Sequence, residues 1–144
     1  LTVNGTLIVT STASATGKVS SQALVSGWLP FTNYGTSVFP ISATASPFAA
    51  TIGESMTIRK WQQALYVAGT NDGSNYWLIN ITDAASSTII AAWSTNGYGS
   101  NVWALYSSTY SQAITSSNKI LVVNATKVGS PGALYLGGPM VYAE

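Results

Sequence analysis

Apolar residues recur at every second position along most of this chain, and the three-to-four-residue interval of an amphipathic helix is nearly absent. A two-residue period places successive side chains on opposite faces of a strand, which commits the fold to sheets with one buried face. The first segment carries Leu1, Val3, Gly5, Leu7 and Val9 on one face and Thr2, Asn4, Thr6, Ile8 and Thr10 on the other. A run of small residues, Ser11 to Gly17, follows with the composition of a linker. Further strands are predicted over Gln22–Leu29, Thr36–Ala43, Ser55–Arg59, Trp61–Ala68, Asn75–Thr82, Thr88–Ser94, Val102–Tyr106, Lys119–Thr126, Ala133–Leu136 and Met140–Ala143. Pro40 implies an edge or a bulge, and Pro30 and Pro47 read as loop punctuation.

Parity within these segments assigns faces. Trp77, Ile79 and Ile81 point one way, and Tyr76, Leu78, Asn80 and Thr82 the other. Thr88–Ser94 should pair with that strand as a hairpin through Asp83–Ser86, and Trp93, like Trp77, faces inward by parity. In Lys119–Thr126, Leu121, Val123 and Ala125 oppose Ile120, Val122 and Asn124. Gly129-Ser130-Pro131-Gly132 and Gly137-Gly138-Pro139 read as turns. No segment offers the crossover helices a parallel sheet requires, and no long internal repeat suggests a propeller or solenoid. The expected fold is therefore all-β: an antiparallel, jelly-roll-like β-sandwich over residues 18–144, preceded by an N-terminal extended strand and linker at 1–17.

Only 6% of the 144 residues are charged, against about a quarter in a typical globular domain. Polarity comes instead from 20 Ser and 17 Thr. Five scattered Lys/Arg cannot neutralise a row of phosphates or hold an anionic bilayer, so nucleic acid and membrane surface are excluded as partners. The apolar runs, such as Thr88–Trp93, are far too short to span a membrane as a helix.

The same composition argues against an enzyme. With no His and no Cys, the commonest general base, thiolate chemistry and zinc ribbons are gone. The four acids, Glu54, Asp72, Asp83 and Glu144, are far apart in sequence, whereas a glycosidase needs a carboxylate pair. Asn71, Asp72 and Asn75 offer calcium-type oxygens, but one carboxylate is too little charge, and the turn chemistry of Asn and Asp explains them. No cofactor or metal is expected.

Two features carry functional readings. The first is aromatic: five Trp and eight Tyr supply rings that can stack on sugars or fill cores and interfaces. Tyr98, in a loop with Asn96 and Asn101, and Tyr34 are the candidates for ligand contact, and Trp77 and Trp93 for the core. The second is the N-terminal strand. Leu1, Val3, Leu7 and Val9 could fill pockets of its own sheet or of a neighbouring copy, with Gly5 where backbones approach closely. Pairing between copies is head-to-tail and propagates into a filament.

Three sequons, at Asn4, Asn80 and Asn124, point to N-glycosylation and an extracellular location. A chain beginning at Leu1 suggests a processed mature terminus or an excised domain.

The stretch Trp61–Glu144, with Tyr76-Trp77-Leu78-Ile79-Asn80-Ile81 at its centre and Gly132-Ala133-Leu134-Tyr135-Leu136-Gly137-Gly138-Pro139-Met140-Val141-Tyr142 near its end, resembles the jelly rolls of carbohydrate-binding modules and laminin-G-like domains. The whole-chain plan of strand tail, linker and low-charge sandwich with sequons resembles archaeal surface-filament subunits assembled by donor-strand complementation. That resemblance implies a non-enzymatic, self-polymerising cell-surface subunit that contacts surface glycans or other cells. A carbohydrate-binding module or a viral fibre or capsid protein is the alternative.

Overall fold

The computed structural model describes residues 27–33, 40–53, 55–114 and 119–144. Ten strands form two five-stranded antiparallel sheets, with no helix among the described residues. They are β1 (Gly27–Pro30), β2 (Thr32–Asn33), β3 (Ala45–Ile52), β4 (Met56–Ala68), β5 (Tyr76–Asp83), β6 (Ile89–Ser94), β7 (Trp103–Ile114), β8 (Lys119–Val128), β9 (Ala133–Leu136) and β10 (Met140–Ala143). One sheet runs β1-β10-β4-β7, with β9 also on β4, and the other runs β2-β3-β8-β5-β6. The all-β sandwich expected from the alternation is the observed architecture. Its N-terminal strand, Leu1 to Thr10, lies outside the described residues.

Parity locates the core of β5 as expected, and the structure extends it to β8 and β4. Trp77, Ile79 and Ile81 of β5, Leu121, Val123 and Ala125 of β8, and Trp61, Leu65 and Val67 of β4 are all buried between the sheets. Trp61 stands at the centre of an aromatic cluster, edge-on to Trp93 (6.1 Å) and Tyr106 (5.8 Å), while Trp93 and Tyr106 stack at 4.3 Å. Such ring pairs add about 0.5–1.5 kcal/mol each beyond their buried area. The β5–β6 hairpin forms through the anticipated turn. Buried Asp83 accepts from Ala85 N (3.1 Å) and Ser86 Oγ (2.8 Å), holding the turn together from its base.

Several sequence expectations are corrected. Pro47 does not punctuate a loop: it lies inside β3, beside a bulge between Ala45 and Phe48 that relieves the missing N–H. Of the segment expected at Thr36–Ala43, residues 36–39 are outside the described set. Ile41 makes only a two-bond bridge to Leu134 (2.7 and 2.9 Å). Ser55–Arg59 and Trp61–Ala68 are one strand, β4. A bulge between Ile58 and Lys60 lets both Ile58 and Trp61 face inward. The strand expected at Val102–Tyr106 runs on to Ile114.

Gly137-Gly138-Pro139 is not a reversal either. Leu136 pairs with Leu65 and Met140 with Gln62, so these three residues oppose only Gln63 and Ala64, and β9 and β10 continue along the same side of β4. The buried Gln63 amide spans the kink by donating to the Gly137 carbonyl (3.0 Å).

Candidate interaction surfaces

Two surfaces of the first sheet stand out, one an edge and one a face. The edge is β7. It has twelve residues, Trp-Ala-Leu-Tyr-Ser-Ser-Thr-Tyr-Ser-Gln-Ala-Ile, without a charge or a proline, and among the described residues it pairs only with β4. Open edges expose unpaired N–H and C=O groups, and proteins usually blunt them with Lys, Pro or short strands. The other edge strands among the described residues are shorter, with six residues in β6. β2 has two residues and β1 has four. In β6, the Ala92 carbonyl accepts from Tyr110 Oη (3.3 Å).

β1 and β7 are the two ends of that sheet's strand order among the described residues, three strand spacings, about 14 Å, apart.

The outer face of the same sheet divides by chemistry. At one end lie Lys60 and Arg59, with Arg59 Nε 2.6 Å from Glu144 Oε1 in an exposed pair that contributes little. At the other end the register aligns Tyr135, Tyr66 and Trp103 across β9, β4 and β7. Tyr66 is edge-on to Tyr135 (5.6 Å) and tilted against Trp103 (5.4 Å). Trp103 and Leu105 are 67% and 61% exposed. Between the two ends, Gln62 Nε2 donates to Ser107 Oγ (3.3 Å).

The residues singled out in the sequence fall in three places. Leu1, Val3, Gly5, Leu7, Val9, Asn4, Tyr34 and Glu54 lie outside the described residues. Asn80 and Asn124 are direct cross-strand partners on the outer face of the second sheet. Asn124 Nδ2 donates to Thr82 Oγ1 (2.6 Å) and its Oδ1 accepts from Ser46 Oγ (2.5 Å).

Tyr98, Asn96 and Asn101 share the β6–β7 loop but point to different ends. Tyr98 is half-buried, edge-on to Trp93 at 6.3 Å, and burial raises its hydroxyl pKa. Asn96 is exposed on a turn closed by Tyr98 N to Thr95 O (3.0 Å), with Gly97 at φ 90° as a type II turn requires. Asn101, at φ 58°, accepts from Gly69 N (2.9 Å) and donates its own N–H to Val67 O (2.8 Å), which seats it beside the aromatic row. Asn and Asp tolerate that left-handed backbone better than other side chains.

The loop is anchored by Thr95, which sequence reasoning passed over, and by Asn71, which it read as turn chemistry. Thr95, fully buried, donates to Asn71 Oδ1 (2.7 Å) and accepts from Trp77 N (3.0 Å), while Asn71 Nδ2 reaches the carbonyls of Thr95 and Tyr98. Asp72 closes its own turn: one oxygen accepts from Ser74 N and Asn75 N, both at 2.9 Å. The Ser74 and Asn75 bonds hold its carboxyl below the usual carboxylate range. Among the described residues no three His, Cys, Asp or Glu side chains come together as a metal cluster. No described helix is long and apolar enough to cross a membrane.

No protein-family model matches the chain, and no curated protein matches it. Among solved structures it is similar to one titled "Cyanophage Pam1 capsid asymmetric unit", at 12% identity and a TM-score of 0.41 over 94% of this chain and 99% of that chain. So distant a likeness carries no argument about function, which rests on the chain's own residues. Those residues make an antiparallel β-sandwich with, among the described residues, one long uncharged edge at β7 and one aromatic face.

Proposed function

We propose that the protein is a non-enzymatic, extracellular structural subunit that polymerises by β-strand addition, the segment Leu1 to Thr10 of one copy pairing with β7 of the next. The uncharged twelve-residue edge of β7 is the observation that carries this reading. A ten-residue donor matches its length, and each added residue pair satisfies backbone groups that water otherwise solvates. Burying four apolar anchors at about 25 cal/mol per Å² contributes several kcal/mol per junction. Because the donor segment and the acceptor edge are different surfaces, addition between copies is head-to-tail and propagates. The low charge content suits closely stacked copies, since desolvated ions without partners cost several kcal/mol each.

Native mass spectrometry and negative-stain imaging test this. The full chain is expected to form polymers, and deletion of residues 1–10 to leave a folded monomer. Ser108→Lys, which points a charge inward from the half-buried side of the edge strand, is expected to do the same. A synthetic peptide of residues 1–10 should shorten polymers of the full chain. Polymers that persist in the deletion variant, or a full chain that stays monomeric at every concentration, would sink the reading.

N-glycosylation forms part of the same proposal. Of the two described sequons, Asn80 is assigned the sugar, because Asn124 already donates its amide nitrogen to Thr82 Oγ1. As direct cross-strand partners, the two leave room for one glycan. Intact mass and peptide mapping of natively purified protein should find a single glycan between these two sites, lost in Asn80→Gln. A glycan mapped to Asn124, or none on either, overturns the assignment.

A further inference from the structure

We propose that the aromatic end of the first sheet's outer face, Tyr135, Tyr66 and Trp103 with Asn101 at its margin, binds a neutral oligosaccharide. Two half-buried tyrosines and an exposed tryptophan lined up by strand register, with Trp103 the most exposed large apolar side chain among the described residues, are an uncommon surface for a protein of low charge. Rings of this type are amphipathic, presenting a flat apolar face and a polar tip together. A sugar ring has matching chemistry, with an apolar C–H face and a rim of hydroxyls.

Charge selects within that class. The charged side chains Arg59, Lys60 and Glu144 sit at the opposite end of the face, and the residues that separate them from the aromatic row are Gln62, Ala64, Leu105 and Ser107. Among the described residues, an anionic glycan would find no cation from this face beside the rings, and a cationic one no carboxylate. An uncharged polyol loses nothing there.

Hydrogen-bonding groups are also in place. Asn101 Oδ1 is held by Gly69 N, which orients the amide, and among the described residues its Nδ2 has no partner. The Tyr66 and Tyr135 hydroxyls likewise make no side-chain hydrogen bond among the described residues. The row crosses two strand spacings, about 10 Å, enough for about two hexose rings side by side. The geometry moves the ligand contact away from Tyr98, whose ring packs on Trp93, and keeps Asn101.

The test is titration of the folded protein with cellohexaose, maltohexaose and mannohexaose, read by tryptophan fluorescence and calorimetry. At least one is expected to bind, with an affinity unchanged by added salt. Trp103→Ala should weaken that binding at least tenfold, as should Tyr66→Ala, while Tyr98→Phe leaves it within twofold. Because Trp103 is largely exposed, Trp103→Ala should keep the wild-type urea midpoint, which separates lost contact from lost fold. Failure of all three sugars to bind overturns the proposal, as does binding that survives Trp103→Ala. If Trp103→Ala instead dissolves a self-association while no sugar binds, the face belongs to a second copy and the proposal is likewise overturned. Assembly through β7 is read independently, by polymer mass, so either result stands without the other.

Discussion

Trp61→Ala is expected to lower the unfolding free energy by about 3–5 kcal/mol, the range for deleting a fully buried aromatic side chain. Against a total of about 5–15 kcal/mol for a domain, that is enough to unfold a substantial fraction of molecules at elevated temperature. Two things make the loss large. The indole is fully buried and touches aromatic rings from both sheets: Trp93 of β6, and Tyr106 and Tyr110 of β7. Removing it therefore takes away apolar area and leaves a cavity that rigid rings on three sides cannot fill by relaxing.

Trp61→Phe supplies the contrast. It keeps a ring in place and removes an indole N–H that has no hydrogen-bond partner among the described residues. Its cost should be less than half that of Ala, because deleting an unpaired buried donor offsets part of the lost packing. Urea unfolding monitored by circular dichroism reads both. If Trp61→Ala costs under about 1 kcal/mol, the central place of this residue between the sheets is wrong.

Gly132→Ala is the second large effect, and it arises outside the core. A Cβ at position 132 would lie 1.9 Å from the Ala68 carbonyl oxygen and 2.7 Å from its carbon. Ala68 ends β4 and is paired to Ala133, so the obstructing backbone cannot swing away without opening the β4–β9 ladder. The shift would also disturb two bonds: Gly132 N to Thr70 O (2.8 Å), and Trp77 Nε1 to Gly132 O (2.9 Å). The second would leave a buried indole N–H unpaired. Overpacking and an orphaned donor together give an expected loss of about 3 kcal/mol or more.

The control is Gly73→Ala, where an added Cβ meets nothing within 4 Å, and the change should stay within about 0.5 kcal/mol. Equal unfolding midpoints for the two alanine variants would show that the close approach of the β8–β9 loop to the end of β4 is not formed in solution.

Much of the fold was legible because a period of two is a local signal. Trp77, Ile79 and Ile81 announce their shared face within five residues, and burial follows from that face alone. Where the sequence misled, the reason was non-local. Pro47 tolerates a strand because a bulge sits beside it, and Gly137-Gly138-Pro139 kinks without reversing because β4 passes alongside to hold both flanking strands. Turn-forming residues signal a break in regular pairing, but whether the chain then turns back depends on the partner strand.

The candidate surfaces were less legible still. Tyr66, Trp103 and Tyr135 are individually visible as aromatic residues, yet they lie far apart in sequence, and only the pairing of β4 with both β7 and β9 sets them in one row. Of the two residues that anchor the β6–β7 loop, Thr95 gave no signal beyond an ordinary polar residue and Asn71 only that of a turn.

From the sequence alone came the all-β class, the buried face of strands such as β5, and the lack of any His or Cys side chain. These follow from residue types and near-neighbour spacing. Strand order, the edge position of β7 among the described strands and the aromatic row were decided only by the tertiary structure. They depend on which strands meet and in what register, and that choice minimises the free energy of the whole sandwich, to which no single segment holds the key.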